Sequence, residues 1–192
     1  MSCGCASEFQ RRRSIRLSGY DYRQAGAYFV TICTHEKALL LGEVVDGTVR
    51  LNESGHSVSA CWSAIPEHFR NADVDAFVVM PNHLHGVVVI GNATGPAVVG
   101  AKHSQQYANA SPLPPAGTQH GSLGAIVQNF KSVSTRKINR QRETPAAPVW
   151  QRNYYERVIR SERELNAIRQ YIADNPLRWA LDRENPDVRP LQ

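Results

Sequence analysis

His83-Leu84-His85 places two imidazoles one residue apart, between the apolar runs Ala76-Phe77-Val78-Val79-Met80 and Val87-Val88-Val89-Ile90. Alternation along a β-strand sends His83 and His85 to one face and Leu84 to the other. Two imidazoles so arranged can hold a metal ion once a third ligand joins them, and they can equally form a hydrogen-bonded surface patch. A second pair stands further along the chain. Tyr171 and Asn175 are four residues apart, so in a helix they share a face and set a phenol beside an amide oxygen that could complete a metal site. The plainer reading makes Tyr171 a core residue and Asn175 the helix stop before Pro176.

The elements that must position these groups follow from hydrophobic periodicity. Residues Ala27 to Thr34, rich in aromatic and β-branched side chains, read as a strand. Leu41 to Val45 and Thr48 to Leu51 read as a hairpin around Asp46-Gly47. Val58, Trp62, Ile65 and Phe69 recur at helical spacing, which predicts an amphipathic helix from Asn52 to about Phe69. Asp75 to Met80 and Leu84 to Ile90 are two strands turning at Pro81-Asn82, so the histidine pair opens the returning strand. Residues 91 to about 121 lack periodicity and read as a disordered loop or functional flap, with His103 and His120 as solvated loop residues. A helix from Ser122 to about Arg140 and a strand and loop over Val149 to Arg160 follow. The final helix starts at Ser161, where Ser161 and Glu164 have capping-box spacing, and it points Leu165, Ile168, Tyr171 and Ile172 inward. It ends or kinks at Asn175-Pro176, and Leu177 to Asp182 can resume it. This order predicts an α+β fold, an antiparallel central sheet with helices packed on one face, of ferredoxin-like or RRM-like character.

The 192 residues suit one domain, here a basic arm over 1–24 and a single domain over 25–192 with a flexible insertion at about 91–121. No apolar run reaches the length of a membrane span, and Met1 is followed by small and polar residues, which reads as a soluble intracellular protein. Cys3, Cys5, Cys33 and Cys61 are scattered and suit a reducing compartment. Net charge is +5 with a pI near 9.2. The excess is clustered at Arg11, Arg12, Arg13 and Arg16 and again at Lys131, Arg136, Lys137, Arg140 and Arg142. Clustered cations suit a polyphosphate partner, because neutralising phosphates releases condensed counterions; a solvated basic face is the alternative.

Met80-Pro81-Asn82-His83-Leu84-His85-Gly86, the Trp150 to Arg160 segment and Tyr171-Ile172-Ala173-Asp174-Asn175-Pro176 together resemble the HUH single-strand DNA transposases with one catalytic tyrosine, especially the REP-associated type. The resemblance extends to Ser14-Ile15-Arg16-Leu17, to Tyr20-Asp21-Tyr22 and to the helix from Ser122 to Asn139, and so covers most of the chain.

It implies a metal-dependent endonuclease and strand transferase. His83, His85 and Asn175 would be metal ligands, and Tyr171 the nucleophile that forms a 5′-phosphotyrosine with a free 3′-hydroxyl. The implied cofactor is Mg2+ or Mn2+, and the implied partner is single-stranded or hairpin DNA of REP-like kind. A monomer and a homodimer are both represented among such proteins, with no membrane partner and a bacterial, cytoplasmic, nucleoid-associated location. Arg11, Arg12, Arg13 and Arg16 would hold phosphates or reach a hairpin groove, while Lys131, Arg136 and Lys137 would line the substrate path. Trp150, Tyr154 and Tyr155 fit either base stacking or the core. Arg157 stands where close relatives tend to carry histidine. Two other readings keep the fold: a non-catalytic nucleic-acid-binding domain descended from a transposase, and a metallohydrolase in which Tyr171 is only structural.

Overall fold

The computed structural model describes residues 20–91, 119–182 and 184–186. Most of the expected arm, with Arg11, Arg12, Arg13 and Arg16, and most of the expected insertion lie outside the described residues.

Chain order runs β1 (Gly26–Cys33), β2 (Gly42–Val45), β3 (Thr48–Leu51), α1 (Glu53–Ser63), α2 (Ile65–His68), β4 (Ala72–Met80), β5 (His83–Ile90), α3 (Leu123–Gln141), β6 (Tyr155–Ile159) and α4 (Glu162–Asp174). A 3-10 turn, Pro176–Leu181, follows α4. The main sheet has the order β4-β5-β1-β6 with every pairing antiparallel. Leaving aside the separate β2-β3 hairpin, this is the β-α-β-β-α-β arrangement of ferredoxin-like folds.

Local chemistry explains the element boundaries. Asp46 and Gly47 both adopt positive φ, 51° and 72°, which the tight turn of the β2-β3 hairpin demands. Asn52 caps α1 by accepting from the Gly55 N–H at 3.0 Å. The helix expected to run to Phe69 is instead interrupted at Ala64, because Pro66 has no N–H to donate and its ring crowds the Trp62 carbonyl; a single turn, α2, remains. Strand β4 begins three residues earlier than expected and carries an irregularity between Val74 and Phe77. Met80 pairs with His83, so Pro81 and Asn82 form the turn. Asn71 ties together the two ends of the insertion, accepting from the Gly91 N–H at 2.8 Å and donating to the Gly121 carbonyl at 3.1 Å.

The sheet is covered on both faces. Tyr28, Val30 and Ile32 of β1 and Leu84, Val88 and Ile90 of β5 pack with Val58 and Trp62 of α1 and with Leu123, Ile126, Val127, Phe130 and Ile138 of α3. Tyr20 and Tyr22, from the end of the expected arm, pack onto this core. The opposite face, Ala27, Phe29, Val87, Val89 and Ile159, receives Leu165, Ile168 and Ile172 of α4. Each of those three side chains contributes roughly 1.5–3 kcal/mol by leaving water. The first helices therefore share one face, and α4 alone takes the other.

Two contacts decide how firmly the sheet is held. A Cβ on Gly86 would lie 2.5 Å from the Trp62 Cζ2 atom, so the indole packs directly on bare backbone. Gly86→Ala is expected to cost about 1–3 kcal/mol, read as a lower urea midpoint at unchanged slope. On the other face, Arg169 of α4 makes a two-pronged contact with Asp75 in the irregular part of β4, Nε to Oδ1 at 2.8 Å and Nη2 to Oδ2 at 2.6 Å. These bonds hold the Asp75 carboxyl below its ordinary value of 3.8. A carboxylate depressed in the folded state stabilises above its unfolded value and loses that contribution as pH falls. Wild type is thus expected to exceed Asp75→Asn by about 0.5–1 kcal/mol at neutral pH, and thermal melts should show the gap closing as the pH drops below the ordinary aspartate range.

Candidate active site

His83 and His85 emerge from β5 on the α4 side of the sheet, and Leu84 enters the opposite core. Both rings are buried, and their centroids are 4.5 Å apart. His85 sits opposite Thr31 in the β1-β5 register, and its Nδ1 is 2.8 Å from the Thr31 Oγ1. Phe29 stacks on it with centroids 5.4 Å apart. Beside the turn, His83 Nδ1 is 2.9 Å from Asn82 Oδ1. The Asn82 amide nitrogen donates to the carbonyls of Lys37 and Glu184, so its oxygen must accept from His83. That assigns the proton to Nδ1 and leaves a lone pair on Nε2. Burial lowers the pKa of both histidines, against the pull of Asp182 on His83 and with the help of His83 on His85. Both rings are then neutral, the form that ligates metal.

Tyr171 and Asn175 reach the same place from α4. Ser161 caps that helix by accepting from the Glu164 N–H at 3.2 Å, and the Arg169 contact with Asp75 fixes its middle. Tyr171 differs from the inward position expected of it: it is 40% exposed, at the edge where α4 leaves the sheet. Its hydroxyl lies 3.3 Å from His85 Nε2, and its ring meets Phe29 edge-on. Burial raises the hydroxyl pKa, as does nearby Asp182, while Asn175 and Arg178 oppose the rise. Asn175 remains in helical geometry despite the following proline, and the chain tightens into the 3-10 turn. The amide is buried, with Nδ2 donating to Asp182 Oδ2 at 3.3 Å.

Two buried atoms at the centre of this arrangement, His83 Nε2 and Asn175 Oδ1, have no hydrogen-bond partner. A buried imidazole nitrogen and a buried amide oxygen, each with an unshared lone pair, are donor atoms suited to a cation. Asp182 also faces this point: its Oδ2 is 3.9 Å from His83 Nε2. His83, His85 and Asp182 offer ligand atoms all within 4.8 Å of one another. The donor set of two neutral imidazoles, an amide oxygen and a carboxylate suits a divalent ion. Asp182 carried no signal in the sequence, since nothing in the spacing of residues after Pro176 shows that the chain folds back over the strand turn.

The expected nucleic-acid contacts divide. Arg11, Arg12, Arg13 and Arg16 lie outside the described residues. Arg136 and Lys137 are exposed on α3, across the sheet from Tyr171. Lys131 is turned inward. Its Nζ donates to the carbonyls of Gln151, Arg152 and Asn153 and stands over the Tyr154 ring, and burial pushes its pKa down to about 8. Trp150 belongs to the core, donating to Ser134 Oγ at 2.9 Å. Of Trp150 and Tyr155, it is Tyr155 that is exposed, on the face of the histidines and edge-on to Phe29 at 6.3 Å. Arg157, next on that face of β6, pairs with Glu164 at 2.7 Å. No helix among the described residues is long and apolar enough to cross a membrane.

No family model matches the chain. A solved structure of a REP-associated tyrosine transposase bound to a REP hairpin superposes at a TM-score of 0.52 with 15% identity, over 83% of this chain and 70% of that one. A structure from Deinococcus radiodurans R1 aligns more loosely, at a TM-score of 0.45 and 16% identity, over 83% of this chain and 95% of the other. The first likeness establishes a transposase-like fold. In sequence, a Haemophilus influenzae protein of uncharacterised activity is 41% identical over 171 residues, covering 89% of this chain and 91% of its own length. With that identity sustained across nearly the whole of both chains, this chain belongs to the same protein family as its Haemophilus influenzae relative, built on a transposase-like fold.

Proposed function

We propose that this protein is a metal-dependent tyrosine nuclease and strand transferase acting on single-stranded DNA with hairpin structure, of REP-like kind, in the bacterial cytoplasm. The observation that supports this most directly is the Tyr171 hydroxyl 3.3 Å from His85 Nε2, beside the orphaned His83 Nε2 and Asn175 Oδ1. The hairpin-bound transposase of similar fold supports the choice of substrate.

Within this reading each residue has a distinct task. His83, His85 and Asn175 would hold Mg2+ or Mn2+, which when bound withdraws charge from the scissile phosphate. The half-exposed position of Tyr171 lets a strand approach from solvent while the ring stays braced against Phe29 and His85. Its oxygen bonds to phosphorus as the bond from phosphorus to the 3′ oxygen breaks. The phenol proton leaves to solvent and the departing 3′ oxygen takes one up, so the products are a 5′-phosphotyrosine and a free 3′-hydroxyl. The phosphodiester energy is kept in the protein–DNA bond for rejoining. Thr31 and Asn82 are positioning residues, each fixing one ring through Nδ1. Arg11, Arg12, Arg13 and Arg16 grip backbone phosphates, and Arg136 and Lys137, across the sheet, engage phosphates away from the cleavage point.

The test is a labelled hairpin with a single-stranded flank, incubated with Mg2+ or Mn2+ and resolved on a denaturing gel. A covalent protein–DNA adduct is expected, and Tyr171→Phe should reduce it by on the order of a thousandfold or more. A chelator should abolish the adduct and leave DNA binding. Retarded DNA on a native gel without any adduct would identify a binding domain instead, and cleavage retained by Tyr171→Phe would identify a hydrolase.

A further inference from the structure

We infer that Asp182 is a direct ligand of the same metal centre, contributed by the segment that follows the tyrosine helix; this rests on the metal-dependent reading above and extends its ligand set from neutral groups to a carboxylate.

Three observations converge on this residue. First, Asp182 Oδ2 and His83 Nε2 face one another at 3.9 Å, too far apart for a hydrogen bond. Nδ1 of His83 is committed to the Asn82 oxygen, so Nε2 presents a lone pair toward a carboxylate, and the neighbouring Asn175 Oδ1 is also without a donor. Acceptors brought together in a buried pocket repel unless a cation lies among them, and ligand bonds of about 2.0–2.2 Å on either side of an ion span such a gap. Second, the ligands implied by resemblance, His83, His85 and Asn175, are all neutral. Hard divalent ions favour anionic oxygen, and two imidazoles with one carboxylate form a ligand set that leaves positions open for other oxygens.

Third, the segment is held in place by contacts of its own. The Asn82 amide donates to the Glu184 carbonyl at 2.6 Å, and Lys37 pairs with the Glu184 carboxylate at 3.1 Å. Asn185 donates to the Trp179 carbonyl at 2.9 Å, and the Trp179 ring lies 6.1 Å from that of His83. The Asp182 side chain is only 8% exposed. Asn82 thus serves both sides of the site: its oxygen orients His83, and its nitrogen ties down the chain that carries Asp182. Metal affinity and docking of Asp182 and Glu184 are consequently linked, since an ion that binds Asp182 binds only the docked form.

Calorimetric titration of the full chain with MnCl2 tests this without reference to activity. Asp182→Asn is expected to weaken Mn2+ binding by about tenfold or more, Asp182→Glu to recover part of the loss, and His83→Ala to abolish binding. Asp182→Cys should shift the preference from Mn2+ toward Zn2+, an effect that requires contact between side chain and ion. Mn2+ binding by Asp182→Asn equal to or tighter than wild type, with His83→Ala still inactive in binding, would overturn the assignment of Asp182 while leaving the histidine centre intact. Undiminished binding by His83→Ala would remove the metal centre altogether and with it the proposed nuclease. Thermal melts on each variant separate lost ligation from lost folding, and if Asp182→Asn proves unfolded, an unshifted metal preference in Asp182→Cys overturns the proposal instead.

Discussion

The antiparallel pairing of β1 with β5 is the constraint on which the site depends. It sets Thr31 against His85 and Cys33 against His83, and since side chains alternate along both strands, a slip of one residue would send the imidazoles into the opposite core. Burial resists such a slip from both sides. Leu84, Val88 and Ile90 are committed to the α1-α3 core, and Val87 and Val89 to α4. The register therefore follows from apolar packing over the length of two central strands, and the histidines inherit their position from it.

What packing provides in position it charges in electrostatics. His83 and His85 are nearly inaccessible to water, and burial holds both neutral. Their Nδ1 atoms are held by Thr31 on the adjoining strand and Asn82 in the turn, which leaves Nε2 of each ring turned toward the site. Buried acceptors facing a common point are unfavourable in an ordinary interior. Here they gather where α4 ends and the chain folds back, close to the exposed phenol of Tyr171. Stability alone gives no reason for such an arrangement, and the proposed metal centre would supply one.

Much of the scaffold was legible in the sequence because its signals are local. Asp46-Gly47 marked its hairpin through backbone conformation, Pro81-Asn82 marked the turn before the histidines, and Ser161 marked the start of α4 through its cap. What was not legible has equally definite causes. The helix from Asn52 broke at Ala64 because Pro66 overrode a continuous apolar stripe. Lys131 stands in the basic cluster expected along a substrate path, and its ammonium also satisfies three carbonyls of the irregular segment before β6, a demand visible only once that segment is folded. Tyr171 fitted the apolar stripe of α4 by spacing, but Leu165, Ile168 and Ile172 suffice to bury the helix and leave the phenol at its margin.

The sequence by itself determined that His83 and His85 share a face and that Tyr171 and Asn175 share another, because strand and helix periods are properties of a few consecutive residues. Tertiary structure alone decided that these two faces meet. That outcome rests on α4 docking on the side of the sheet opposite α1 and α3, driven by apolar surface on β1, β5 and β6 and clamped by Asp75 and Arg169. It also decided that Asp182 joins them, since the return of the chain over the strand turn depends on Asn82 and Lys37, each more than 90 residues away in sequence from the Glu184 they hold.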